Sequence, residues 1–374
     1  MTIYLDNAAT TPVNPTALQA AWPWLTTEFG NPSSTHEIGT RASTALEDAR
    51  ARVAKFFNVR PAEITFTSGG TESDNLAIIG LALANPRGKH LVSARSEHEA
   101  VLAAIEFLER MHGFETTWLE LDPLGQVLEF ESALRPDTTL VSLMLANNEV
   151  GTLHPVTEFA KAAHNVGALF HTDAVQAIGW LDVDMQKLEV DALSVSGHKF
   201  GAPKGSGVLV KRARAQSEPL IHGGGQEAGL RSGTENVAWA VALSTALDAL
   251  QPAETESDRV CLLREQFIGA VLKSVPKAKL TGHPTKRLAS IASFTIEGVS
   301  GEAVLLELER RGVVVSSGSA CAAGSDEPSH VLLALGISAE VAQTSVRFSF
   351  SHQTTADELQ LAAIALAESV SVFI

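Results

Sequence analysis

The chain of 374 residues contains only two cysteines, Cys261 and Cys321. That number excludes a disulfide framework and any metal site built from a cysteine cluster within one chain. No uncharged apolar run reaches the roughly 18 residues needed to span a bilayer. The first residues, Met1 to Pro12, have neither the basic nor the apolar stretch of a secretory leader. Basic residues are scarce as well: 28 Lys and Arg stand against 43 Asp and Glu, a formal charge of −15. Phosphate backbones and anionic lipid surfaces repel such a chain unless a local basic patch intervenes, and the sequence has none. These absences point to a cytoplasmic protein that binds neither nucleic acid nor membrane directly. There is also no internal repeat, no heptad run, no G-x-x-x-x-G-K-[ST] loop and no G-x-G-x-x-G fingerprint.

What is present is enough apolar residue, 45% of the chain, to bury a large core. At roughly 150 residues per domain the length accommodates two or three domains. From Glu37 the pattern alternates between helical stripes and short apolar runs. Glu37 to Phe57 places Ile38, Ala42, Ala45, Leu46, Ala49, Val53 and Phe56 on one helical stripe. Ile64 to Thr67 reads as a strand, followed by a helix through Ala84. Leu91 to Ser93, Thr116 to Leu119, Leu140 to Leu145, Leu169 to Thr172 and Ala192 to Ser196 read as strands, with helices at Glu97 to Met111 and Val156 to Val166. Gly207 to Val210 reads as an edge or return strand. Such alternation predicts an α/β domain with a mainly parallel sheet covered on both faces. After Leu250 the polar stretch Ala253 to Arg259 marks a domain boundary, and a smaller α+β unit follows: strands at Ile291 to Ile296, Val313 to Ser316 and Val346 to Phe350, helices at Gly301 to Arg310, Ser329 to Leu335 and Ala356 to Val370. The expected division is a large domain over 13–251, with 1–12 and 252–374 forming the small one.

In open α/β sheets ligands bind beyond the carboxyl ends of the strands. Three strand ends are unusually polar: Ser68-Gly69-Gly70-Thr71-Glu72-Ser73, Asp173-Ala174-Val175-Gln176 and Ser196-Gly197-His198-Lys199. The first fits a phosphate cradle, because glycine lets backbone N–H groups approach an anion at a helix N-terminus. Alone, it fits an ordinary glycine turn with a threonine cap at least as well. Lys199 would become a nucleophile if burial and neighbouring charge lowered its pKa, yet taken by itself it reads better as a solvated loop lysine. Together the three turns supply the parts that hold pyridoxal 5′-phosphate: a cradle for the phosphate, a lysine for the Schiff base, and Asp173 to pair with the pyridinium nitrogen. Gln176 stands within reach of the ring's phenolic oxygen.

At this point the sequence resembles the cysteine desulfurases, members of the class V aminotransferase group of fold-type I pyridoxal-phosphate enzymes. The resemblance rests on Phe29-Gly30-Asn31-Pro32-Ser33-Ser34, Thr67 to Asn75, Asn147-Asn148-Glu149-Val150-Gly151, Ser196-Gly197-His198-Lys199, His222 to Glu227, Arg231-Ser232-Gly233-Thr234 and Ser316 to Cys321, all in the family's order. It extends from Tyr4-Leu5-Asp6-Asn7-Ala8-Ala9-Thr10-Thr11 to the last helix. The fold it implies is a large domain with a seven-stranded, mainly parallel sheet flanked by helices, plus a smaller α+β domain. It implies that Lys199 carries the cofactor, that Gly70, Thr71, Ser196 and His198 hold its phosphate, and that Thr234 reaches the phosphate of a neighbouring subunit in a homodimer. His98 would stack on the ring and assist proton transfer, although alone it reads as a surface histidine at a helix start. Asn148 and Arg347 would fix the substrate carboxylate, Arg347 by bidentate geometry.

Cys321 distinguishes a desulfurase from other enzymes of this kind. Its stretch, Ser316 to Ser325, holds small residues that do not form a core strand. The resemblance implies that its thiolate attacks the sulfur of L-cysteine, leaving a persulfide on Cys321 and releasing alanine. The long loop before Glu327-Pro328-Ser329 matches the housekeeping and nitrogen-fixation branch, in which the persulfide passes to an iron–sulfur scaffold, a sulfurtransferase or a tRNA-thiolation enzyme. Cys261, in Arg259-Val260-Cys261-Leu262-Leu263, occupies an apolar helical position and reads as packing. Departures from the family are Gly70 where many relatives have alanine, Gln226 where many have histidine, and a chain end soon after the last helix, which bears on the choice of acceptor. The alternatives are a selenocysteine lyase or aminotransferase of the same fold that does not use Cys321, and a non-catalytic sulfur-relay subunit. No metal is expected.

Overall fold

The computed structural model describes residues 2–85, 87–317 and 327–373. The alternation from Glu37 onward builds a seven-stranded sheet in the order Ile64–Thr67, Gly207–Lys211, Ala192–Ser196, Leu169–Asp173, Thr138–Ser142, His90–Ala94 and Glu115–Leu119. The last five run parallel to one another. Gly207–Lys211 is antiparallel to both of its neighbours. It is therefore a return strand, but an interior one, and Ile64–Thr67 takes the edge. The strand within Leu140 to Leu145 ends at Ser142, although Leu143 N and Leu145 N still donate to His171 O and Asp173 O of the neighbouring strand, at 3.1 and 2.9 Å.

Helices cover the sheet according to how apolar they are. Gly70–Ala84 is apolar nearly all round and is buried along most of its length. Glu37–Phe56 buries Ala42, Leu46, Ala49 and Val53 of its expected stripe, while Ile38 stays exposed in the first turn. Two further helices, Pro15–Thr26 and Val237–Asp248, have no counterpart in the sequence reading. Asn14 caps the first, accepting a hydrogen bond from Thr16 N at 2.8 Å, and Pro15 sits at its first position, where a missing N–H costs nothing.

The polar stretch Ala253 to Arg259 is the start of the helix Ala253–Ser274, with Glu254 and Glu256 in the first turn, where the helix dipole favours them. This helix, Gly301–Arg310 and Ala356–Ser371 pack beside a second, antiparallel sheet of Ser345–Ser349, Ile291–Ile296 and Ala278–Leu280. The core of this part includes Phe267, Phe294, Phe348 and Phe350, with the Phe267 and Phe348 rings edge-on at 4.8 Å. The strand Ile3–Tyr4 pairs in parallel with Val313–Val314. Beyond it, Asn7 donates to Ser349 O at 2.8 Å and Thr11 N donates to His198 O at 2.9 Å. The N-terminal segment thus runs from the smaller sheet to the carboxyl ends of the larger one, carrying Ala8 and Ala9 between the two.

Candidate active site

A cavity of about 210 Å³ opens where the parallel strands end. The three polar turns supply Gly70, Thr71, Asp173, Gln176, Ser196, His198 and Lys199 to its lining, and other elements add His98, Asn148 and Arg347. Their convergence follows from topology: each follows or ends an element of one sheet, and parallel strands place their carboxyl ends on one side.

The glycine turn is shaped by contact. A Cβ on Gly207 would lie 2.5 Å from Gly69 Cα and 2.7 Å from Gly69 N, so the strand beside the turn tolerates no side chain there. At Gly70 a Cβ would come within 2.9 Å of Val175 Cγ2 and 3.3 Å of Ser196 Cβ. The helix begins at Gly70, so its N-terminal N–H groups and dipole face the cavity beside Ser196. His198 closes the same end: its Nδ1 pairs with Thr10 Oγ1 at 3.0 Å. Burial, reinforced by the charges of Lys199 and Lys204, pushes the His198 imidazole down to about 4.

Asp173 ends its strand, and its Oδ1 accepts a hydrogen bond from Val175 N at 2.8 Å. Burial raises its pKa, and the charges of His98 and Lys199 pull against that rise. Beside it stand two carboxyls that sequence reasoning missed, of which Asp74 also lines the cavity. Asp74, one helical turn after Gly70, is buried with Oδ1 unpartnered and lies 3.8 Å from His171 Nε2. Glu97 accepts from Met144 N at 2.9 Å through Oε1, and its Oε2 is unpartnered. Burial first, and then the charge of Asp173, pushes both well above the usual carboxylate range. His171 gives Asp74 no cationic partner, since burial lowers its pKa to about 3; its ring nitrogens pair with the Ser142 and Ser194 hydroxyls, each at 2.9 Å. Asp173 is the member of this group that faces cations, the charges of His98 and Lys199 working against the rise that burial causes. The signal for Asp74 was available: an acid on an otherwise apolar, buried helix face.

Lys199 reaches in from the third turn, where its Nζ donates to the carbonyls of Ala8 and Ala9, the latter at 2.9 Å. Gln176 Nε2 donates to Ala8 O at 3.0 Å. His98 caps the helix Glu99–His112 by accepting from Ala100 N at 3.1 Å through Nδ1, so it both starts a helix and lines the cavity. Arg347, almost fully buried on the strand Ser345–Ser349, donates to Asn148 O at 3.0 Å and to Asp6 Oδ1 at 2.9 Å, and its Nε has no partner among the described residues. Thr234 is exposed and does not line this cavity of its own chain. Cys321 lies outside the described residues. Cys261 is partly buried against the smaller sheet's core, 3.2 Å from an Arg264 nitrogen.

The residues fit pyridoxal phosphate. A glycine-walled helix start and Ser196 suit its phosphate, a carboxyl that faces the charges of His98 and Lys199 suits its ring nitrogen, and a lysine amine lines the same cavity. The unpartnered Arg347 Nε suits the carboxylate of an amino acid.

The class-V aminotransferase family matches residues 3–361. Among similar proteins, the chain is 46% identical to cysteine desulfurase IscS of Methanosarcina thermophila over 96% of its own length and 89% of that protein's. It is 44% identical to cysteine desulfurase NifS of Azotobacter vinelandii, over 96% and 90% of the two lengths. Among solved structures, a NifS-like protein superposes over the whole of both chains with a TM-score of 0.92 at 34% identity. The apo structure of the cysteine desulfurase from Thermococcus onnurineus NA1 gives 0.89 at 26% identity, over 99% of this chain and 95% of that one.

Proposed function

This chain belongs to the class-V aminotransferase family as one of its cysteine desulfurases, and from that premise we propose how its residues divide the reaction. The enzyme takes sulfur from L-cysteine and leaves L-alanine. Pyridoxal phosphate, when bound, supplies an electron sink for the substrate's carbon skeleton. Lys199 is the residue that would hold it covalently, Asp173 would pair with its ring nitrogen, and Gln176 with its phenolic oxygen. Gly70, Thr71, Ser196 and His198 would grip its phosphate. Thr234 would complete that grip in a second copy of the chain, making the working enzyme a homodimer.

His98 commits Nδ1 to its helix cap, which leaves Nε2 to hold or move a proton at the cavity. Arg347 and Asn148 orient the substrate through its carboxylate. The Cys321 thiolate attacks the substrate sulfur: an S–S bond forms, the C–S bond breaks, and its electrons pass to the carbon skeleton. The sulfur then leaves as persulfide for an acceptor protein, an iron–sulfur scaffold or a tRNA-thiolation enzyme. With a charge of −15, delivery to tRNA would run through a protein intermediary. No helix among the described residues is long and apolar enough to cross a membrane, and we place the enzyme in the cytoplasm.

The observation that supports this division is the meeting of Lys199, Asp173, His98 and Arg347 around one cavity. The test is to purify the protein, record its absorbance, add L-cysteine with a reductant, and follow alanine and sulfide. Cys321→Ala should keep the cofactor's absorbance and lose sulfide release, and Lys199→Ala should lose the absorbance. Sulfide release at the parent rate by Cys321→Ala would overturn the role of Cys321 and favour a lyase or aminotransferase reading. A protein that takes up no cofactor would favour a sulfur-relay subunit.

A further inference from the structure

Arg347 is a buried cation, its side chain only 3% exposed, and a charge so far from water needs compensation. Its ion-pair partner is Asp6, whose Oδ1 accepts from one terminal nitrogen at 2.9 Å. The other terminal nitrogen donates to Asn148 O at 3.0 Å, and Nε has no partner among the described residues. Asp6 itself does not line the cavity, whereas Arg347 does.

Both residues are held by their backbones. Asp6 bridges in parallel to Ser349, and Ser349 N donates to Leu5 O at 2.7 Å. Arg347 exchanges hydrogen bonds with Ser316, with Arg347 N donating to Ser316 O at 2.6 Å. The guanidinium therefore has two of its donor groups pinned by fixed acceptors. Nε is the donor left for an incoming carboxylate, together with the second hydrogen of the nitrogen that Asp6 already holds. A guanidinium has five hydrogens in one plane, enough to serve both anions side by side.

We propose that Asp6 is a positioning and specificity-tuning residue: it stays paired with Arg347 during the reaction, and the substrate carboxylate joins the guanidinium on its Nε side instead of displacing Asp6. The inference rests on the assignment of Arg347 to the substrate carboxylate. Two anions on one cation repel each other, so Asp6 weakens substrate capture while it fixes the direction of the free Nε–H. Retaining the acceptor but removing the charge separates these effects.

The experiment measures steady-state kinetics with L-cysteine and calorimetric binding of L-alanine for the holoenzyme and three variants. Asp6→Asn keeps an oxygen facing Arg347 and removes the competing charge, so KM and the alanine dissociation constant should fall by about threefold or more, with kcat moving less than KM. Asp6→Glu keeps the charge but carries it one methylene further, so both constants should rise, and this variant carries the test if Asp6→Asn does not fold. Unchanged or raised constants for Asp6→Asn, or unchanged constants for Asp6→Glu, overturn the proposal. Arg347→Lys separates the two levels of the argument. If it leaves KM unchanged, the assignment of Arg347 fails; if it raises KM while the Asp6 variants do nothing, the role of Asp6 alone fails.

Discussion

Arg50 and Glu227 form a bidentate pair, with two N–H···O contacts of 2.8 Å and side chains 10% and 3% exposed. Arg50 also donates to Ile64 O at 3.0 Å, and Glu227 accepts from Phe66 N at 2.8 Å. The pair thus ties the helix Glu37–Phe56 and the edge strand to the loop that leads to Thr234. Glu227 and the next residue, Ala228, have φ of 47° and 54°, a left-handed stretch that costs non-glycine residues about 1–2 kcal/mol each. Arg50→Met removes one partner and leaves a buried carboxylate uncompensated, which should cost about 3–5 kcal/mol. That is a large share of the roughly 5–15 kcal/mol that holds a typical protein folded. Glu227→Gln leaves Arg50 with the half-exposed Glu47, 3.1 Å from its Nε, and Ile64 O, and keeps an oxygen for Phe66 N, so it should cost less than Arg50→Met. The double variant leaves no unpaired charge, so its loss should be smaller than the sum of the single losses by about 2 kcal/mol or more. Reversible urea unfolding of the four proteins measures this cycle. Losses that add to within about 0.5 kcal/mol, or an Arg50→Met cost below about 1 kcal/mol, would refute the claim that the loop is anchored by this pair.

Gly207→Ala drives a methyl group into the backbone of Gly69, so it should cost about 1–3 kcal/mol of stability and weaken cofactor binding at least about tenfold. Spectrophotometric titration of the apoprotein with pyridoxal phosphate checks this, and wild-type affinity would contradict the close approach. Burial holds His154 down to about 4, well under the ordinary value near 6.5. The unfolded chain therefore takes up a proton at His154 below about pH 6.5 that the folded protein refuses until about pH 4, and stability is lost as pH falls through that window. Because Asp74 and Glu97, raised by burial, slope the other way, the comparison is His154→Gln against the parent. Its stability relative to the parent should improve by about 2 kcal/mol between pH 7 and pH 5, and a pH-independent difference would refute the buried neutral histidine.

Much of the site was legible because its residues sit beside recognisable strand runs. Thr67 to Ser73, Asp173 to Gln176 and Ser196 to Lys199 are each a polar turn after a buried strand, and parallel strands carry such turns to one side of the sheet. Asp6, Asp74 and Glu97 were not read as site residues, since their importance depends on what lies opposite them: Arg347, His171 and Asp173 come from distant parts of the chain.

The helix Pro15–Thr26 escaped reading for a related reason. It buries only Ala17 and Ala21, while Leu18, Trp22 and Leu25 face outward, so its apolar periodicity marks the wrong side. The helix Ala253–Ser274 was hidden by its polar first turns, which are favourable at a helix N-terminus but resemble a linker in composition.

By itself, then, the sequence determined the elements of the sheet and the chemistry at their ends, because burial periodicity and turn residues are local properties. Only the tertiary structure decided that Asp74, Glu97 and Asp173 would be buried close enough together for burial to raise the pKa of each. It alone also decided that Asp6 would pair with Arg347. Charge states of buried groups depend on desolvation and on partners brought together by folding, and neither is written in any one stretch of chain.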